Sequence, residues 1–169
     1  SPEFATYSIA QKKAIENALR DFELSGIGLS EEKQKRYGEI VARLSELSSQ
    51  FSNNVLDATM GWEKVIEDES ELAGLPESAL LAAKQSAESK GLKGYRFTLE
   101  IPSYLPIMTY CENAALREEM YRAYATRASD QGPNAGKWDN TAIIEEIMTL
   151  RVELAKLLGF NTYTERSLA

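Results

Sequence analysis

Between Tyr7 and Leu24 the apolar residues Ala14, Ile15, Ala18, Leu19 and Phe22 recur three and four positions apart, the spacing of one helix face. Ser25-Gly26 ends that run. Ser30 before Glu31 and Glu32 then reads as an N-cap with two carboxylates complementing the helix dipole. The longest periodic stretch follows, with Tyr37, Ile40, Val41, Leu44, Leu47, Phe51, Val55 and Ala58 on one stripe that closes near Gly61. That predicts a helix of roughly eight turns, long for a globular protein, and the first helix is there to pair with it as an antiparallel hairpin.

The pattern changes after Pro76, a residue tolerated in the first turn of a helix. The segment PESALLAAKQSAESKG reads as an Ala-rich helix to Gly91. In YRFTLEI the period drops to two: Tyr95, Phe97, Leu99 and Ile101 lie on one side, Arg96, Thr98 and Glu100 on the other. The partner for that strand is WEKVIE, Trp62 to Glu67, and a two-stranded ribbon needs helices packed on it. Pro102 and Pro106 precede a short helix expected around Ile107 to Glu112, and a longer one follows Asn113 with Leu116, Met120, Ala123 and Tyr124 inward. After a polar loop from Asp130 to Asp139, a last full helix presents Ile143, Ile144, Ile147, Leu150, Leu154, Leu157 and Leu158. Gly159 is its stop signal, and Thr162 with Glu165 forms the T-x-x-E relation of a capping box, so a further helix starts just before the chain ends at Ala169. No repeat of 20–50 residues is present. The fold class predicted is mainly α: a bundle of about six helices with one short two-stranded β ribbon.

Composition narrows the function more than the fold. A chain of 169 residues with 43% hydrophobic residues supports one core. No apolar run approaches the ~20 residues of a membrane span, so a soluble chain without a membrane partner is expected. A net charge of −7 without a basic cluster disfavours nucleic acid. The single cysteine, Cys111, excludes an intrachain disulfide and fits a reducing compartment. The start, Ser1 to Phe4, carries no signal-peptide pattern and reads as vector-derived, leaving residues 5–169 as the helical part. Histidine is absent, which removes His-based triads, His-ligated zinc and His general acid–base catalysis.

The remaining candidates each have a simpler reading. GPNAGKW from Gly132 resembles a phosphate loop, but its glycines are one residue too close, Trp138 stands where Ser or Thr would hold magnesium, and a helix precedes it. Glu118/Glu119 and Glu145/Glu146 are adjacent pairs that diverge by about 100° on a helix and serve better as solvated faces. Cys111 lacks the base that would activate a thiol and fits as a small buried hydrophobe. LREEMYRAYATRASD interleaves Arg117, Arg122 and Arg127 with Tyr121 and Tyr124; it either presents guanidinium groups to an anion or a peptide carboxylate, or pairs them with Glu118 and Glu119. No catalytic, cofactor-binding or metal-binding residue is assigned.

The segments ALRDFELSGIGL, RLSELSSQFSNNVLDAT, LAGLPESAL, FTLEIPSYLPIMTYCENAALREEMYRAYATRASD and WDNTAIIEEIMTLRVELAKLLGFNTYTERSLA together resemble the N-terminal, noncatalytic part of the thimet-oligopeptidase family of zinc metallopeptidases. The resemblance implies a cytoplasmic parent enzyme that hydrolyses short peptides in a channel between two helical halves. It implies zinc in that parent, held by a His-Glu-x-x-His helix that has no counterpart in these residues, so no ligand carries over and no zinc is expected here. The chain would then be an inactive fragment walling the channel, cut within its last helix and prone to self-association through Leu154, Leu158, Phe160, Tyr163 and Leu168. The alternative is a free-standing helical protein-interaction module that uses the Arg/Tyr helix as its binding face.

Overall fold

The computed structural model describes residues 2–169; Ser1, part of the stretch read as vector-derived, lies outside the described residues. After a 3₁₀ turn at Pro2–Thr6, the elements are α1 (Ile9–Leu24), α2 (Glu31–Met60), β1 (Glu63–Ile66), α3 (Glu77–Glu88), β2 (Tyr95–Thr98), α4 (Ile101–Tyr110), α5 (Ala114–Ala125), α6 (Thr141–Leu157) and α7 (Tyr163–Leu168), with a second 3₁₀ turn at Glu69–Leu72. This is the mainly α fold with a short ribbon that the pattern predicts, with seven α-helices among the described residues where about six are expected. The chain divides into two compact units, residues 1–48 with 144–169 and residues 49–143.

In the first unit, Ser8 and Gln11 close a capping box at the start of α1, the Ser8 hydroxyl accepting from the Gln11 N–H and the Gln11 side chain accepting from the Ser8 N–H. The α1 stripe is real but stays uncovered: no residue of α1 is buried, and Leu19 and Phe22 are more than half exposed. Periodicity reports that a helix has an apolar face, not that anything packs on it. The expected hairpin is held at its turn, where the Tyr37 hydroxyl donates to the Leu24 carbonyl at 3.1 Å. Between α2 and α6 two arginines bind carboxylates bidentately: Arg36 to Glu153 at 2.6 and 2.8 Å, and Arg43 to Glu146 at the same distances. About two turns on along α2 correspond to about two turns back along α6, as in antiparallel helices. Ile40, Leu47, Leu150, Leu154 and Ala155 are the buried residues beside them. Gly159, at φ 87°, ends α6 in a Schellman motif, its N–H bonding Lys156 and that of Phe160 bonding Ala155. Thr162 caps α7 as predicted, but Glu165 reaches back to the N–H of Asn161, one residue before the position a capping box uses.

The second unit holds the main core: Trp62, Ile66, Leu72, Leu75, Ala83, Phe97, Leu99, Ile107, Cys111, Leu116, Met120 and Ala123 form one cluster. β1 and β2 pair antiparallel from Glu63 opposite Thr98 to Ile66 opposite Tyr95. Gly94 enters β2 at φ 86°, and a Cβ there would stand 2.3 Å from the Ile66 carbonyl oxygen, so the chain passes β1 at a distance only glycine permits.

Both strands are shorter than their sequence alternation. β2 stops at Thr98 because the next turn is already a helix start: the Ser103 hydroxyl accepts from the Thr98 N–H at 2.9 Å, and the Glu100 carbonyl accepts from the N–H groups of Ser103 and Tyr104. Leu99 therefore remains buried, while Ile101, expected on the same strand face, opens α4 and is 53% exposed. α4 also begins six residues before the helix expected at Ile107. Pro102 falls in its first turn, where a missing N–H costs no helical bond, and Pro106 removes a single bond four residues later. Of the two prolines that read as preceding the helix, one fits its first turn and the other lies inside it. Asn113 caps α5 through the Leu116 N–H, and Leu116, Met120 and Ala123 turn inward as predicted.

Candidate functional site

The Arg/Tyr helix α5 lies in the second unit, and its three arginines have three different fates. Arg117 donates to the Cys111 carbonyl and so ties the start of α5 to the end of α4. Arg127, just past the helix, lays its guanidinium 3.6 Å from the centre of the Tyr124 ring and donates to Thr59 at 2.8 Å and to the Tyr124 carbonyl at 2.9 Å. Tyr124 in turn stacks on Tyr104, ring centres 4.1 Å apart. This Arg–Tyr–Tyr stack shields the Tyr104 phenol, and burial foremost pushes its pKa above that of an ordinary tyrosine. The stack is a packing element, with the Nε and one Nη of Arg127 committed to acceptors.

Arg122 differs. It has no ion pair and no hydrogen-bonded side-chain partner, and it lines an open cavity of about 330 Å³ with Trp62, Glu119, Gly132 and Pro133. Glu119 lies three residues earlier on the same helix, the spacing at which it would ordinarily pair with Arg122. Instead both its carboxylate oxygens accept from the Lys64 ammonium on β1, at 2.8 and 3.1 Å. Pairing of the α5 arginines with Glu118 and Glu119 is one of the readings the sequence leaves open; a strand lysine takes Glu119 instead. The cavity rim comes from the loop after α5. Gly132 approaches Thr126 so closely that a Cβ would fall 1.9 Å from its hydroxyl, and this seats Pro133 at the rim.

The other sequence candidates do not converge on this place. Cys111 is buried at the end of α4, its thiol against the Glu71 carbonyl at 3.7 Å, which is the small-hydrophobe reading. Glu118 is exposed; Glu145 is exposed on α6 in the first unit, and Glu146 is taken by Arg43. The GPNAGKW segment forms a bonded turn, Ala135 N–H to Gly132 and Lys137 N–H to Asn134. Its Trp138 ring lies over Gly61, where a Cβ would meet the indole at 2.1 Å. A second groove of about 180 Å³ runs between α3, β2 and α4, past Ala79, Ala83, Ser86, Pro102 and Pro106. Its arginine, Arg96, is committed to Glu63 at 2.7 Å and to Ser86 at 2.9 Å. The residue the sequence did not single out is Trp62, read only as the start of a strand; its place in the cavity depends on the ribbon meeting α5.

Zinc finds no donor set here. Among the described residues no three His, Cys, Asp or Glu side chains stand close enough to hold a metal ion, so the residues present do not fit the group and no step is derived through it.

The second unit is a mainly helical unit with an open cavity at α5. Residues 107–169 match the model of peptidase family M3. The whole chain is 89% identical over 169 residues to oligopeptidase A of Haemophilus influenzae and covers 25% of that protein. It is 72% identical over 166 residues to oligopeptidase A of Escherichia coli, with 98% of this chain and 24% of that protein aligned. It is 46% identical over 176 aligned positions to a probable cytosolic oligopeptidase A of Arabidopsis thaliana, again 24% of that protein. The family resemblance read from the sequence is borne out, and the chain spans about a quarter of the length of the relatives it matches.

Proposed function

We propose that this chain is a noncatalytic helical segment of a zinc metallo-oligopeptidase that hydrolyses short peptides, and that it contributes part of the wall of the substrate channel. The similarity to oligopeptidase A along its entire length carries this reading. Two further observations support it: the 169 residues contain no histidine, and the polar clusters of the second unit are structural pairs apart from the Arg122 cavity. No helix among the described residues is long and apolar enough to cross a membrane, and with the cytosolic relative this supports a cytoplasmic setting. Short peptides are the substrate class of the whole enzyme, and its zinc belongs to residues outside this segment.

The test is metal analysis after dialysis together with a quenched-peptide assay. The 169-residue chain is expected to hold no stoichiometric zinc and to turn over no peptide, while the whole protein does both. One tightly held zinc per chain, or chelator-sensitive turnover by this segment, would overturn the proposal.

A further inference from the structure

We propose that the cavity at Arg122 is a carboxylate-binding pocket that takes the C-terminal end of a short peptide, a proposal that rests on the short-peptide reading above. Three observations carry it. Arg122, exposed on α5, lines an open cavity of about 330 Å³ and makes no ion pair or side-chain hydrogen bond among the described residues, in a chain whose net charge is −7 and whose carboxylates outnumber its cations. Glu119, the acid that shares the lining with it, is held through both oxygens by Lys64, and Glu118, four residues before Arg122, is exposed and makes no ion pair among the described residues, so neither carboxylate engages the guanidinium. Beside Glu119 the rest of the lining is apolar, from the largely buried Trp62, Gly132 and Pro133, the last seated there by the tight Gly132–Thr126 approach.

The chemistry of these groups selects the ligand. A planar guanidinium presents parallel N–H donors that match the two oxygens of a carboxylate. A cavity near the small end of the ligand-pocket range, with an indole and a pyrrolidine beside the cation, admits one apolar side chain next to that carboxylate. A peptide's last residue, when apolar, offers both groups on one Cα. An acidic side chain within a peptide offers the carboxylate without the adjacent apolar group, and inorganic phosphate offers only the anion. The bound Glu119 also faces the pocket and opposes a second negative charge, which favours a singly charged end over a doubly charged phosphate.

The experiment uses the 169-residue chain with ¹⁵N labelling, following the Arg122 side-chain Nε–H and the Trp62 indole N–H by NMR. The probes are acetyl-Ala-Ala-Leu with a free carboxylate, the same peptide as its amide, acetyl-Ala-Asp-Ala amide and inorganic phosphate. The free acid is expected to shift both signals and to bind at least tenfold more tightly than its amide, with the Asp peptide and phosphate weaker. In Arg122→Gln the acid-over-amide preference is expected to vanish, and Arg122→Lys is expected to restore part of it; an unchanged backbone spectrum shows that either variant is folded. Equal binding of acid and amide, a preference that survives in Arg122→Gln, or phosphate binding as tightly as the free acid would each overturn the pocket. No zinc and no turnover enter this measurement, so its failure is separate from a failure of the oligopeptidase reading, which the peptidase assay tests.

Discussion

Asn140 shows what a single residue decides in this protein. It is 2% exposed, between the end of the polar loop read as Asp130 to Asp139 and the start of α6. Its side-chain NH₂ donates to the Phe51 carbonyl at 3.2 Å, its side-chain oxygen accepts from Asn54 at 2.8 Å, and its backbone N–H donates to Ala128 at 3.0 Å. It therefore pins the end of the loop after α5 to α2 with both polar atoms of its side chain bonded, which is the condition on which a buried amide is tolerated. Asn140→Leu would keep the volume and strand the Asn54 amide without its acceptor. The expected cost is about 1–3 kcal/mol, read as a lower urea midpoint at an unchanged slope. Asn54→Ala removes one bond with the buried amide still tied to Phe51, and is expected to cost less. A neutral Asn140→Leu would show that the loop is held by Trp138 against Gly61 instead. Nothing in the sequence separates Asn140 from Asn134 or Asn161; burial alone does so.

At the scale of elements, the pairing of α2 with α6 is electrostatic as well as apolar. Hydrogen bonds from Arg36 and Arg43 hold the carboxyls of Glu153 and Glu146 below the ordinary glutamate value of 4.5. A carboxylate whose folded pKa is depressed stabilises the fold fully above its unfolded value, and that contribution is lost as the pH falls through the lower folded one. The urea midpoint is thus expected to be flat near neutrality and to drop as the pH falls below about 4.5, more steeply in the native chain than in an Arg36→Gln/Arg43→Gln double variant. The side chains are 39–45% exposed, so the effect is modest and should shrink in concentrated salt. Parallel pH curves for the two chains would remove these pairs from any role in joining the helices. The sequence displays the charges on both helices, yet which of the glutamates meets which arginine follows from the antiparallel register, a property of two elements together.

For the whole molecule, the consequential feature is apolar surface without cover. α6 buries Leu150, Leu154 and Ala155 on one side, and leaves Ile144, Met148 and Val152, an i, i+4, i+8 row, 44–57% exposed on another. A helix apolar on two sides is ordinarily packed on two sides. Leu154, named in the sequence reading as part of an association face, is unavailable because it is buried, whereas Leu168 is 82% exposed. Self-association through the Ile144–Met148–Val152 row and Leu168 is the expected outcome for the isolated chain, since contiguous apolar patches rarely stay in water on a monomer. Light scattering behind size exclusion should give a mass that rises with concentration. Met148→Lys, a surface change with no packing role, should return it toward that of one chain. A monomer at millimolar concentration, or a mass unaffected by Met148→Lys, would exclude this face.

What the sequence determined by itself was local or compositional. Helix periodicity, the alternation around Phe97, the Gly159 and Thr162 signals and the lack of histidine all act through near neighbours or through no geometry at all, so the chain order suffices to read them. The tertiary structure decided where those patterns stop and which groups remain free. Alternation runs to Ile101, but the strand ends at Thr98 because Ser103 and Glu100 start α4 there, with Pro102 placed in the first turn where a helix tolerates it. Arg122 and Arg127 belong to the same Arg/Tyr stretch of the sequence; Arg127 is stacked and bonded, Arg122 open to a cavity. The difference lies in Thr59 and Lys64, remote in the chain and brought to α5 only by folding, because hydrogen bonds and ion pairs act over a few ångströms of space whatever the distance along the chain.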